Sequence, residues 1–168
     1  VAVCRGIHAL TGCDARIKWP NDVVIGPKKV CGILTELSAE MEHVHYLIPG
    51  IGINTNNGAF PPELSDRATS LKIETGQDIR RAVLLGKILE EFEDLYNRYG
   101  VSSFPEEYCS LCVSLGRPVS LTRGGRKLTG IAAGIAPDGA LLVQTQEGEK
   151  IAVTSGEVVV QGFYGEKL

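Results

Sequence analysis

Between Ala15 and Asn54 the sequence runs as short β-type stretches separated by tight turn chemistry, a pattern that requires adjacent antiparallel strands. The stretches are Ala15 to Trp19, Val23 to Ile25, Val30 to Leu37 and Val44 to Asn54, joined by a Pro20-Asn21-Asp22 corner, a Gly26-Pro27 turn and a polar turn. Ahead of them Val3, Ile7 and Leu10 recur at helical spacing and Gly12 supplies a stop. Nothing with capping chemistry precedes that helix and residue 1 is valine, so the sequence reads as a piece of a longer polypeptide. Beyond an irregular excursion through Asn56-Asn57-Gly58 and Pro61-Pro62, Asp78 stands as a cap for a long helix from Ile79 to Tyr99. Leu85, Ile88, Phe92, Leu95 and Tyr99 form its apolar stripe, which is expected to cover the sheet. Gly100 ends it, and Phe104 to Cys112 predicts one more short helix.

The character changes near Gly116. Val119 to Thr122, Leu128 to Ile135, Leu141 to Gln144, Ile151 to Val153 and Val158 to Val160 alternate with Gly124-Gly125, Pro137-Asp138-Gly139 and Glu147-Gly148, which have turn chemistry. Five short strands in this space predict a small SH3-like β-barrel. The expected fold class is α+β: a mixed or antiparallel sheet covered by helices over residues 1–114, then the barrel over 115–168.

Composition excludes several classes. A net charge of −3 with scattered lysines and arginines gives no general nucleic-acid-binding surface. No apolar run approaches the roughly 20 residues needed to cross a bilayer, and no secretory signal opens the sequence, which predicts a cytoplasmic chain with no membrane partner. Five cysteines, an odd and irregularly spaced set, read as reduced thiols. Cys109 and Cys112 have C-x-x-C spacing without a second pair, and both read as helix residues; His8, His43 and His45 lack the matched carboxylates of a metal site.

The chemistry concentrates in three runs within 37 residues: Lys18-Trp19-Pro20-Asn21-Asp22, Lys29-Val30-Cys31-Gly32-Ile33-Leu34 and Gly50-Ile51-Gly52-Ile53-Asn54. Strand alternation puts Gly50, Gly52 and Asn54 on one face, and Val30, Gly32 and Leu34 on one face of the neighbouring strand. Glycine weakens a strand interior by about 1 kcal/mol, so two on one face suit a ligand that approaches the backbone, such as a flat ring or ureido group; Gly-x-Gly also suits a bulge or a tight helix contact. Asn54 can both donate to and accept from an adenine edge. Lys29, beside the turn, can reach over the floor and relieve the repulsion when a carboxylate meets the α-phosphate of a nucleotide, although turn lysines are commonly just solvated. Asp22 suits the magnesium that accompanies a triphosphate, or equally a turn that bonds its own backbone; Lys18 and Asn21 can assist through phosphate or metal contacts.

These runs, with Ala68-Thr69-Ser70-Leu71, Glu74 and Gly76 and the small β domain after them, resemble the biotin protein ligase family over essentially the whole chain. The resemblance implies a class II synthetase-like fold and an enzyme that makes biotinyl-5'-AMP from biotin and MgATP. It then passes biotin to one lysine of a biotin carboxyl carrier protein. Carried over, Lys29 contacts the biotin carboxylate and the adenylate phosphate and is the catalytic residue. Gly32, Leu34, Gly50 and Gly52 line the biotin site, and Lys18, Asn21, Asn54 and Ala68 serve ATP or the adenylate. Asp22 serves the metal, and a homodimer is allowed.

Two departures qualify the resemblance. An arginine sometimes found after the Ser155-Gly156-Glu157 segment is replaced by Val160 and Gln161, which removes support for a role of Glu157. No Gly-Arg-Gly-Arg run occurs in these residues, so this chain by itself is expected to be inactive. A lipoate ligase-like enzyme with a similar floor and lysine, or a non-catalytic module that grips a carrier domain, are the competing readings.

Overall fold

The computed structural model describes residues 1–40, 43–100, 106–123, 126–154 and 158–164. Helix α1 (Ala2–Thr11) ends at Gly12, whose φ of 72° is a left-handed conformation that glycine adopts without strain. Strands β1 (Ala15–Lys18), β2 (Asp22–Ile25), β3 (Lys28–Glu40) and β4 (His43–Ile53) follow as an antiparallel meander in that spatial order, as the turn spacing predicts. The apolar residues Val3, Cys4 and Ile7 of α1 pack on one face of the sheet against Ile17, Val23, Val30 and Cys31.

A β-bulge controls which residues share a face. Asp22 pairs with Gly32 and Val23 with Cys31, but Val24 pairs with Lys29, so Val30 is an extra residue on β3. Val30 therefore joins Cys31 on the core side, fully buried, and does not continue the glycine floor as simple alternation predicts. The same slip turns Lys29 onto the face of Gly32.

Helix α2 (Leu71–Thr75), which the sequence reading did not separate from the preceding loop, is short and firmly capped. The Ser70 hydroxyl accepts from the Ile73 N–H at 3.1 Å, Leu71 is buried, and Gly76 closes the helix with φ 72°. Helix α3 (Arg81–Tyr99) starts later than expected. Asp78 does not cap it; its carboxylate takes Lys72 at 2.7 Å, and Arg80 stands at the cap without a side-chain bond. The stripe also differs. Leu84 and Ile88 are the buried residues, while Leu85, Phe92 and Tyr99 of the predicted stripe are exposed. Helix α3 packs on α1 and not on the sheet: a Cβ on Gly6 would lie 2.7 Å from Ile88 Cγ1, so glycine permits the close helix contact. Arg5 of α1 is held by Glu91 at 3.0 Å and Asp94 at 3.2 Å, both on α3, and by Glu107 of α4 (Glu106–Leu111).

The second sheet is antiparallel in the order β8-β7-β6-β5-β9: β5 (Pro118–Arg123), β6 (Arg126–Ile135), β7 (Leu141–Thr145), β8 (Lys150–Val153) and β9 (Val158–Val160). All five predicted strands are present; Phe104, Gly124-Gly125 and the Ser155-Gly156-Glu157 segment lie outside the described residues. Trp19, in the corner after β1, and Val24 of β2 are buried with Val119, Leu141 and Val143 of the second sheet and with Phe163, which follows β9. The Trp19 indole N–H donates to the Gly139 carbonyl at 2.9 Å. The two sheets thus share side chains across their junction. No helix among the described residues is long and apolar enough to cross a membrane.

Candidate functional site

Antiparallel register aligns four of the motif residues in one row across the first sheet. Lys18 faces Asp22, Asp22 faces Gly32 and Gly32 faces Gly52, so one residue from each strand stands on the same face. Lys29, brought to this face by the bulge, lies over the bare backbone of Gly32. Its ammonium is 2.6 Å from Asp22 Oδ1.

An open cleft of about 270 Å³ is lined here by Lys29, Cys31, Gly32, Gly52, Asn54, Leu64, Arg67, Ala68 and Tyr164. The backbone places Ala68 in it: the Lys29 N–H donates to the Arg67 carbonyl at 2.8 Å and the Thr69 N–H to the Lys29 carbonyl at 2.9 Å. The Asn54 side chain donates to the Thr69 carbonyl at 3.1 Å, which leaves its Oδ1 and a second N–H for other partners. Thr69 donates to Glu74 at 2.5 Å, so the Ala-Thr-Ser-Leu run with its distant glutamate is one local bonding unit behind the cleft wall. Burial pushes the Cys31 thiol up to about 12, which keeps it protonated and unreactive at neutral pH.

Of the sequence-derived biotin residues, Lys29, Gly32 and Gly52 converge in the cleft. Leu34 and Gly50 oppose each other further along the same face, outside the cleft lining, and Leu34 is 70% exposed. Of the nucleotide residues, Asn54 and Ala68 line the cleft, whereas Lys18 and Asn21 do not. Asn21 donates to the Ile33 carbonyl at 2.5 Å and accepts from its N–H at 2.9 Å through the backbone, so it pins the corner to β3. Lys18 is 7% exposed, with its ammonium 4.8 Å from the centre of the Tyr164 ring.

Asp22 spends Oδ1 on Lys29 and Oδ2 on the Tyr164 hydroxyl, which donates to it at 2.6 Å. No group of three histidine, cysteine, aspartate or glutamate side chains suited to a metal occurs among the described residues. In the structure both oxygens of the Asp22 carboxylate are therefore engaged by side chains of the chain itself. Sequence reasoning missed Cys31, Leu64, Arg67 and Tyr164 as cleft residues. Arg67 and Cys31 adjoin motif positions and were within reach of the pattern; Tyr164 lies 142 positions from Asp22, and no local spacing signals that contact.

Residues 1–54 match the Biotin/lipoate A/B protein ligase family, and residues 114–160 match the Biotin protein ligase C terminal domain. The chain is 42% identical over 155 residues to the bifunctional ligase/repressor BirA of Bacillus spizizenii, which covers 89% of this chain and 48% of that protein. It is 29% identical over 158 residues to the biotin–[acetyl-CoA-carboxylase] ligase of Paracoccus denitrificans, covering 87% of this chain and 63% of the relative. The apo structure of biotin protein ligase from Aquifex aeolicus superimposes with a TM-score of 0.82 at 35% identity, covering 95% of this chain and 71% of that one. The same enzyme in complex with biotin and ATP superimposes with a TM-score of 0.79 at 34% identity, covering 96% and 68%. The chain belongs to the biotin protein ligase family. It spans about half the length of the Bacillus relative.

Proposed function

We propose that this chain supplies the sheet-borne part of the active site of a cytoplasmic biotin protein ligase, with residues 1–114 forming part of the catalytic domain and 115–168 the C-terminal domain. The observation that carries this reading is the Lys29 ammonium lying over bare Gly32, which faces Gly52 in the cleft. A biotin carboxylate oxygen attacks the α-phosphorus of MgATP, the bond to the β-phosphate oxygen breaks, and pyrophosphate leaves. Lys29 stabilises the two anions as they approach and the charge that grows on the phosphoryl oxygens. Gly32 and Gly52 leave room for a flat ring against the strand backbone, and Asn54 and Ala68 receive the adenine. In the second step the amine of a carrier-protein lysine attacks the acyl carbon, AMP departs with the bonding pair, and the lysine loses its proton to solvent. Asp22 orients Lys29 throughout.

The test is biotin-dependent exchange of labelled pyrophosphate into ATP. It is run on the 168-residue chain alone and on the chain joined to an upstream segment with the family's arginine- and glycine-rich loop. Exchange in the joined protein that disappears with Lys29→Ala supports the reading. Exchange driven by lipoate in place of biotin transfers the site to the lipoate class, and binding of a carrier domain without any exchange makes the chain a docking module.

A further inference from the structure

We infer that Tyr164 is a positioning residue for the adenylation proposed above: through Asp22 it holds the Lys29 ammonium over the glycine floor. The inference rests on that functional reading and adds a residue from the opposite end of the chain.

Tyr164 grips the site at three points. Its hydroxyl donates to Asp22 Oδ2 at 2.6 Å, and the other oxygen of the same carboxylate takes Lys29 at 2.6 Å. Its backbone N–H donates at 3.1 Å to the carbonyl of Pro27, in the turn that launches Lys28 and Lys29. Its ring lies against the Lys18 ammonium, 4.8 Å from ring centre to nitrogen. The first two anchors act on the two features that set Lys29, its carboxylate partner and its turn.

The backbone supports the same conclusion. Tyr164 has φ 57°, the only positive φ at a non-glycine among the described residues. A bulky side chain in this region is strained, and such strain persists where the surroundings over-determine it, which happens chiefly at functional sites. Here the surroundings are the buried Phe163 side chain, fixed in the core of the second sheet beneath Arg117. The second sheet therefore sets where the phenol reaches. A carboxylate with one donor on each oxygen cannot rotate without breaking a bond. Without the phenol O–H only the Lys29 end remains, and a long half-exposed ammonium side chain regains its rotamers.

The experiment compares Tyr164→Phe, Asp22→Ala and the double variant with wild type in the full-length protein, by biotin-dependent pyrophosphate exchange and by thermal unfolding. Phenylalanine keeps the ring and its packing, so the unfolding midpoint stays near wild type. We expect kcat to fall about tenfold in Tyr164→Phe, with KM for ATP and biotin within twofold. The double variant should be no slower than Asp22→Ala, because the two residues act as one unit. Unchanged kcat, multiplicative losses in the double variant, or a change confined to KM each overturns the inference; the last would make Tyr164 a substrate contact. In the same preparations the rate of Lys29 acetylation by a water-soluble acetyl ester, read by mass spectrometry, should rise about threefold in Tyr164→Phe. If wild type shows no exchange, the functional reading fails, and equal Lys29 labelling in the two proteins then overturns the positioning link as well.

Discussion

Lys29 Cε and Nζ both lie 3.0 Å from the point where a Cβ on residue 32 would stand, so the bare backbone of Gly32 is what lets the lysine lie flat over the strand. The obstructing atoms are the far end of a flexible chain. Gly32→Ala is therefore expected to leave the thermal midpoint within about 2 °C of wild type, since surface substitutions away from core features cost little. It should nonetheless cut biotin-dependent exchange at least tenfold by moving the ammonium, because positional errors of about 1 Å cost rates of that order or more. Exchange at the wild-type rate in Gly32→Ala would separate the two residues.

The opposite balance is expected at Gly6. There an added Cβ meets Ile88 Cγ1 at 2.7 Å and the backbone nitrogen and Cα of Ile88 at 3.1 and 3.2 Å, so the helices themselves must part. Overpacking of this kind costs typically 1–3 kcal/mol. Urea unfolding of Gly6→Ala should show a loss of about 2 kcal/mol with an unchanged slope.

Trp19 is the only tryptophan, and it stands in the corner between β1 and β2 but is buried in the core of the second sheet. Its fluorescence therefore reports the junction. In denaturant the tryptophan signal and the far-ultraviolet circular dichroism should change in one coincident transition, the signature of a single cooperative unit. Two separated midpoints would show that the sheets unfold independently.

Acid stability should depend on Glu107. Its hydrogen bond from Arg5 holds the carboxyl below its ordinary value of 4.5. A carboxylate with a lowered folded-state pKa contributes stability above the unfolded value, and that contribution disappears as pH falls through the lowered one. Glu107→Gln should lose about 1 kcal/mol at pH 7, a magnitude appropriate to a partly buried surface pair. The gap to wild type should narrow as the pH is taken progressively below 4.5 in a series of urea titrations.

Much of this architecture was legible because it is local. Gly12, the Gly26-Pro27 turn and the five strands after Gly116 announce themselves through turn residues and alternation. Helix α3 was misread at both its start and its face. Asp78 has cap chemistry but is drawn to Lys72, and the α3 stripe was assigned to a sheet that α1 already covers. At the site, alternation found the Gly32 and Gly52 pair but put Val30 with them, since an extra residue in a strand leaves no mark on composition. Tyr164 was out of reach for a different reason: its contact depends on how two sheets dock, a tertiary relation that periodicity does not encode.

The extra residue at Val30 also limits how the sequence can change. Removing Val30 itself would restore regular pairing and leave Lys29 on the side of Gly32, because Cys31 alone would then separate them. Regular pairing of the intact sequence would instead turn the Lys29 ammonium toward α1 and set the Val30 side chain over the cleft. Substitutions in this stretch can be absorbed one at a time, but flattening the bulge without shortening the strand would invert the site at a single step.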